Sequence, residues 1–328
     1  LSRRTTEVGP RISNFVSQVF DVRAGVRGKL TSTVDWDISG AYGESDRNQT
    51  ILNYTLQSRF RQGVLVNGTL ANPVCQNTSN NCAPVDVFGP EGAISAAAVD
   101  FLTENSTTAV RTSLSQARAL ISGDFGFALP FASQPLGFAV GGEYRKYAAS
   151  QASDTLAKTA GELGGAGGAA PDIDGGYTVY EGYAELIAPL IEDRPFFKSL
   201  TLETGIRYSD YSIRGADGYD TTTWKAGGTW EPADGVKFRG NYSRAVRAPN
   251  IGELFTPQTV ALTNLGIDPC AGSAPTTNAN LRAICLAQGA PIGSIGSITN
   301  PTAGQANILV GGNLDLQPEK ANTWTIGA

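Results

Sequence analysis

Histidine is missing from all 328 residues. That absence removes Ser-His-Asp and Cys-His nucleophilic machinery, HExxH zinc sites and histidine-ligated haem. It also removes the histidine-dependent proteases and phospholipases built on membrane barrels. Long apolar runs are missing too. No stretch reaches 18 apolar residues, so no transmembrane helix is expected. A transmembrane strand needs only about 9–11 alternating residues, so a membrane barrel stays open. No apolar leader opens the chain, which begins LSRRTTEVGP. A basic excess is also missing: the formal charge is −5 with 17% charged residues, and nucleic acid is not an expected partner. Cysteine is scarce, at four residues: Cys75, Cys82, Cys270 and Cys285. Four cysteines allow three connectivities, and the two local pairs are the simplest. Both pairs lie in polar, loop-like sequence without metal-type CxxC spacing, which favours disulfides over four free thiols and over a metal site.

What is present is alternation. Apolar residues reach 41%, enough for ordered structure. Period-two runs cover 19–28, 34–43, 113–125, 137–147, 176–190, 200–208, 221–231, 236–243 and 323–328. Side chains alternate across a strand, so each run has one apolar and one polar face. In 200–208, Leu200, Leu202, Ile206 and Tyr208 oppose Thr201, Glu203 and Arg207. In 236–243, Val236, Phe238, Gly240 and Tyr242 oppose Lys237, Arg239, Asn241 and Ser243. These nine runs predict an all-β, mostly antiparallel protein.

Long and short connections alternate between the runs, with one exception near 213–220. Structureless loops this long are unusual in a compact soluble domain. Transmembrane barrels place short turns on the periplasmic side and longer loops outside. Residues 46–112, 148–175, 213–220 and 249–319 are therefore expected outside the cell, and 29–33, 126–136, 191–199 and 232–235 in the periplasm. Within the first loop, 94–102 (ISAAAVDFL) has the composition of a short helix. In the second, Asp172 and Asp174 suit an Asx-rich turn better than a calcium site.

The apolar faces carry Trp36, Tyr42, Tyr144, Tyr180, Tyr208, Trp224, Trp230 and Tyr242, many near strand ends, as aromatic girdles require. A soluble β-sandwich core would also alternate, but several runs exceed the usual five to six residues. The other faces carry charge of both signs, among it Glu143, Arg145, Glu181, Glu185, Arg207, Lys225 and Arg239. A dry interior would not hold so many ions, whereas a wet or plugged lumen does. Glu181 and Glu185 lie about 13 Å apart along a strand, wider than glycosidases use. No enzymatic function and no cofactor are expected.

Two segments carry a resemblance. VKFRGNYSRAVRAPNIGELF at 236–255 and GNLDLQPEKANTWTIG at 312–327 are similar to the strand end and strand start that bracket a large external loop in TonB-dependent outer-membrane receptors. RRTTEVGPR, CAPVDVFGPEGAIS, GFAVGGEYRK, YEGYAELIAPL and RYSDYS resemble the same family, in the same order. The resemblance implies a partial barrel wall over 1–328, about nine strands of a barrel of about 22. It implies a plug and further strands that this sequence does not contain. It also implies uptake, across the outer membrane of a Gram-negative bacterium, of a scarce ligand: a siderophore-iron chelate, cobalamin or an oligosaccharide. The partners would be the TonB complex acting through the plug, outer-membrane lipid and that ligand. A passive porin-like channel and a β-rich adhesin remain the alternatives.

Candidate ligand-binding or plug-facing residues are Glu181, Tyr183, Glu185, Arg239, Arg244, Arg247, Asn250 and Glu253. By parity Arg244 would turn to lipid if its strand continued regularly. A bulge or strand exit at Ser243–Ala245 is therefore expected, bringing Arg244 and Arg247 to the aqueous mouth. Pairing of Arg247 with loop carboxylates such as Glu253 is the competing expectation.

Overall fold

The computed structural model describes residues 4–328. Among them, thirteen strands and six α-helices follow one another. In order they are β1 (Ile12–Lys29), β2 (Val34–Thr55), α1 (Gln57–Gly63), β3 (Val66–Thr69), β4 (Asn72–Cys75), α2 (Ala96–Leu102), β5 (Thr103–Ala128), β6 (Pro135–Ser153), α3 (Thr155–Lys158) and β7 (Ile173–Arg194). There follow β8 (Phe197–Ile213), β9 (Tyr219–Ala233), β10 (Val236–Arg247), α4 (Ile251–Phe255), β11 (Thr259–Asn264), α5 (Ala274–Thr277), α6 (Ala279–Ala287), β12 (Gln305–Val310) and β13 (Glu319–Gly327).

Nine long strands form one sheet in the order β1-β2-β5-β6-β7-β8-β9-β10-β13, with neighbours antiparallel. The two edge strands, β1 and β13, are paired on one side only, so the sheet is open. Short turns at 30–33, 129–134, 195–196 and 234–235 join the strands at one end. At the other end the connections are 56–102, 154–172, 214–218 and 248–318. The alternation read from the sequence thus sorts all the long loops to one side.

The strands run further than the apolar pattern. β2 continues to Thr55 and β5 starts at Thr103, so 46–55 and 103–112 are strand and not loop. β6 continues to Ser153 and β7 starts at Ile173, which reduces the second loop to 154–172. The ladder is made by backbone groups and persists where the side chains turn polar. Past Tyr42, the outward residues Glu44 and Asp46 of β2 are bridged by Arg111 of β5, at 2.6 and 3.8 Å. The expected bulge at Ser243–Ala245 is absent. β10 pairs with β13 without a register shift from Arg239 to Arg247. Glu319–Asn322 supplies the partner strand that holds this stretch straight, so Arg244 keeps the parity of Tyr242 and faces outward.

The outward face is apolar and uncovered: Ile38 is 52% and Ile206 54% exposed, with Val22, Val140 and Leu202 beside them. Soluble monomers rarely expose so wide an apolar surface. Trp230 stacks on Phe238 at 5.6 Å and donates its indole N–H to the Phe196 carbonyl at 2.9 Å, next to the short turns. Towards the long loops, Tyr242 stacks on Trp324 at 4.0 Å and meets Trp224 edge-on at 4.9 Å. The hydrophobic core that the chain does bury lies outside the sheet. In the connection 56–102, Val85, Ile94, Ala98 and Leu102 pack with Phe60 of α1 and with Val64 just after it. The helix expected at 94–102 is α2, begun by Ser95, whose hydroxyl accepts from the Ala98 N–H at 3.2 Å.

Candidate functional site

The inward face is organised around Glu181. Glu143 of β6 stands directly opposite it, and Ser209 of β8 lies on its other side. Two carboxylates facing each other across a ladder repel. Two arginines bridge them. Arg145 donates to Glu181, and Arg207 Nη1 donates to the same carboxylate oxygen at 3.1 Å. Ser209 Oγ donates to the other oxygen at 2.6 Å. Both arginines also reach Glu143, at 3.6 and 3.7 Å, and Gln116 of β5 donates to it. The Glu181 side chain is only 3% exposed and its charge is compensated, while Arg145 and Arg207 keep part of their surface open. Arg207 lies over the Tyr183 ring at 4.7 Å, and Lys225 of β9 pairs with Glu185 at 3.0 Å.

Towards the long loops the inward face turns aromatic. Tyr147, Tyr177, Tyr211 and Tyr219 come from four successive strands, with ring centroids 4.9, 6.2 and 4.8 Å apart. Arg145 Nη1 donates to the Tyr147 hydroxyl at 3.1 Å and ties this row to the ionic network. A cavity of about 500 Å³ opens beside both, where β9 and β10 diverge past Trp224–Arg244. Its lining includes Arg145, Glu181, Glu185, Arg207, Tyr211 and Lys225.

At the long-loop end of β10 and β13 the connection 248–318 is fastened at its base. Arg247 grips Glu319 through Nε (3.0 Å) and Nη2 (2.7 Å), and Glu253 through Nη1 (3.1 Å) and Nη2 (3.2 Å). One planar guanidinium thereby joins both ends of the loop bidentately. Asn250 begins α4 with a capping box: its side chain accepts from the Glu253 N–H, and Glu253 accepts from the Asn250 N–H at 2.8 Å. The Glu253 carboxyl is held below the usual carboxylate range, first by Arg247 and then by that N–H. α4 leans on β7: a Cβ at Gly175 would overlap Phe255, so glycine is what lets the helix reach this inward position. In the connection 154–172, Asp172 is held low by the Ser153 N–H and by Lys158. Asp174 pairs with Arg214 at 2.8 Å, so both carboxylates of that turn serve structure.

The structure brings Glu181, Tyr183 and Glu185 together on the inward wall, and Arg247, Asn250 and Glu253 together at the loop base. Arg239 lies inward but nearer the short turns, against Gly327 and away from both groups. Arg244 keeps the outward parity of Tyr242, yet it borders the cavity at the point where β9 and β10 diverge. Arg247 meets the loop carboxylates, the competing expectation stated above. Glu143 and Arg145 were placed on the charged face by the sequence but not among the candidate site residues, and the tyrosine row and Gln116 were not singled out. Their signal was parity, since Tyr147, Tyr177, Tyr211 and Tyr219 all share the face of the charged residues. Both local disulfides, Cys75–Cys82 and Cys270–Cys285, are formed.

An antiparallel wall of long strands, apolar outside and ionic inside, with all long loops at one end, defines a transmembrane β-barrel domain. The chain belongs to the TonB-dependent receptor family: the model of its β-barrel, described as TonB dependent receptor-like, beta-barrel, matches residues 4–328. This family comprises outer-membrane receptors of Gram-negative bacteria that act as transporters and not as enzymes. No solved structure matches the chain.

Proposed function

We propose that this chain is the wall of an active-transport receptor in the outer membrane of a Gram-negative bacterium. It takes up a scarce ligand of the siderophore-iron, cobalamin or oligosaccharide class. The long loops face outside and the short turns face the periplasm. The TonB complex supplies energy through a plug domain seated in the lumen. The observation that carries this reading is the inward wall beneath the fastened loop. There, Glu181, Tyr183, Glu185 and Tyr211 line a polar, aromatic cavity, with the other tyrosines of the row next to Tyr211. Tyrosine rings and paired charges offer stacking and hydrogen bonds to a ligand arriving from the loops, and Arg239 lies at the depth where a plug would meet the wall.

The test is uptake by cells that carry or lack the protein, using labelled ligands of the three classes. Uptake of one of them that depends on the protein and stops with a protonophore supports the reading. Protein-dependent uptake that ignores the protonophore identifies a passive channel. A protein that stays soluble without detergent and mediates no uptake fits the adhesin alternative.

A further inference from the structure

We propose that the tyrosine row is a track for a neutral oligosaccharide, whose sugars hydrogen-bond to the hydroxyls of Tyr177, Tyr211 and Tyr219. On the transport reading above, which this step presupposes, that narrows the ligand to one class. Register aligns the row. Tyr147 of β6 stands directly opposite Tyr177 of β7, and Tyr211 of β8 directly opposite Tyr219 of β9. Tyr211 is also opposite Val179, so the row takes one diagonal step between the two pairs. All four tyrosines share the parity of Glu181 and point inward. Gly175, two residues nearer the loops on the same face of β7, lies against Phe255 of α4. The row therefore crosses the wall between the loop base and the ionic network.

The hydroxyls along this row are open. Tyr147 accepts from the Arg145 guanidinium at 3.1 Å. The Tyr177, Tyr211 and Tyr219 hydroxyls make no hydrogen bond with any described residue. All three side chains are half-buried, yet none of these oxygens is a buried unpaired atom, so each reaches the lumen. The ring centroids, 4.9, 6.2 and 4.8 Å apart, follow the spacing of the strands that carry them. A chain of pyranose rings repeats at a comparable pitch.

The inward charges below the row are matched to one another. Glu143 and Glu181 are met by Arg145 and Arg207, and Glu185 by Lys225. An ionic chelate would have to break one of these pairs to gain a partner, leaving a charge uncompensated. A flat macrocycle needs an open ring face. Here the planes of the two opposed pairs are 34° and 27° apart at 4.9 and 4.8 Å, so their faces are turned to each other. A hydroxyl-rich neutral chain needs neither. Its hydroxyls donate to and accept from phenols, and its C–H groups pack against the ring edges.

Equilibrium binding to the purified protein in a sugar-free detergent tests this. The probes are maltooligosaccharides, cellooligosaccharides and xylooligosaccharides of increasing length, beside ferrioxamine and cyanocobalamin. At least one saccharide series should bind, more tightly as the chain lengthens to about four units, the number of rings in the row. Tyr177→Phe and Tyr211→Phe should each weaken that binding about fivefold, the effect of one net hydrogen bond. Both variants keep the ring, so a purely sheet-stabilising role would leave binding unchanged. Tyr180→Phe, which alters an outward tyrosine of β7, should change nothing. No saccharide bound, affinity independent of length, or full affinity in the Tyr177 and Tyr211 variants would each overturn the track. Protonophore-sensitive uptake of ferrioxamine or cyanocobalamin, with no saccharide bound, would overturn the track and keep the transport reading. Saccharide uptake that ignores the protonophore, and that both variants slow, would keep the track and overturn active transport.

Discussion

Ile206 and Arg207 are consecutive on β8, and they live in opposite surroundings. Ile206 stands more than half exposed on the outward face, with Trp224 and Ala184 beside it in the ladder. Arg207 turns inward onto Glu181, Glu143 and the Tyr183 ring. The chain leaves more than half of the outward residue uncovered, so much of its contribution depends on an apolar surrounding such as lipid. The inward residue is held by charge and hydrogen bonds that the chain supplies itself. Adjacent positions of one strand therefore answer to different solvents, and substitutions should separate them.

The largest effect should come from the inward side. Glu181→Ala leaves Arg145 and Arg207 facing each other without their shared acceptor. Removing one member of a buried ionic group costs about 3–5 kcal/mol, and the partial exposure of Arg207 places the expected loss at the lower end. Urea unfolding of the folded barrel measures it, and a midpoint that does not move would break the account of the network. Next comes Ile206→Arg, expected to cost about 2–4 kcal/mol near the bilayer midplane and to lower the yield of assembled protein. The inward Thr201→Arg, on the same strand and opposite Thr229 in the ladder, should assemble normally. Equal damage from both would erase the distinction between the faces.

A smaller effect is expected at the loop. Gly175→Val pushes Phe255 away, at about 1–3 kcal/mol. The cost should fall on α4 and not on the sheet. Protease should then cut faster within 248–318, with the heat-modifiable migration of the barrel unchanged. The smallest effect is set by pH. The folded Glu253 carboxyl titrates below its unfolded value, so its contribution is complete above the ordinary carboxylate range and is lost as pH falls through the depressed value. The loop base should stay protease-resistant on mild acidification and open only in stronger acid. Glu253→Gln should open it at neutral pH and remove that dependence.

The two faces were legible in the sequence because apolar and charged residues alternate at Val22–Arg23, Phe238–Arg239 and Ile206–Arg207. The loop rhythm was legible because turns as short as Ala233–Val236 contrast with stretches of tens of residues. Strand ends were not legible, since Asp46, Arg111 and Asn48 extend a ladder made by backbone alone. Arg244 was assigned to a bulge or strand exit because regular parity would have turned a cation to lipid. Glu319–Asn322 pairs with it and fixes the parity. The tyrosine row was hidden for a related reason: Tyr147, Tyr177, Tyr211 and Tyr219 lie at or beyond the ends of the alternating runs, and only register aligns them. The short hairpins β3–β4 and β11–β12 are too brief to leave a periodic trace. The local disulfides were the simplest of three connectivities, favoured by the polar, loop-like sequence around each pair.

The central claim is that odd and even positions of one wall strand meet different solvents. Nitroxide side chains placed one at a time from Leu202 to Tyr208 in the membrane-embedded protein test it most directly, through their relaxation by oxygen and by a water-soluble nickel chelate. The account predicts strict alternation, with oxygen dominant at 202, 204, 206 and 208, and the chelate dominant at 203, 205 and 207. Uniform accessibility along the strand, or the reversed alternation, would contradict it.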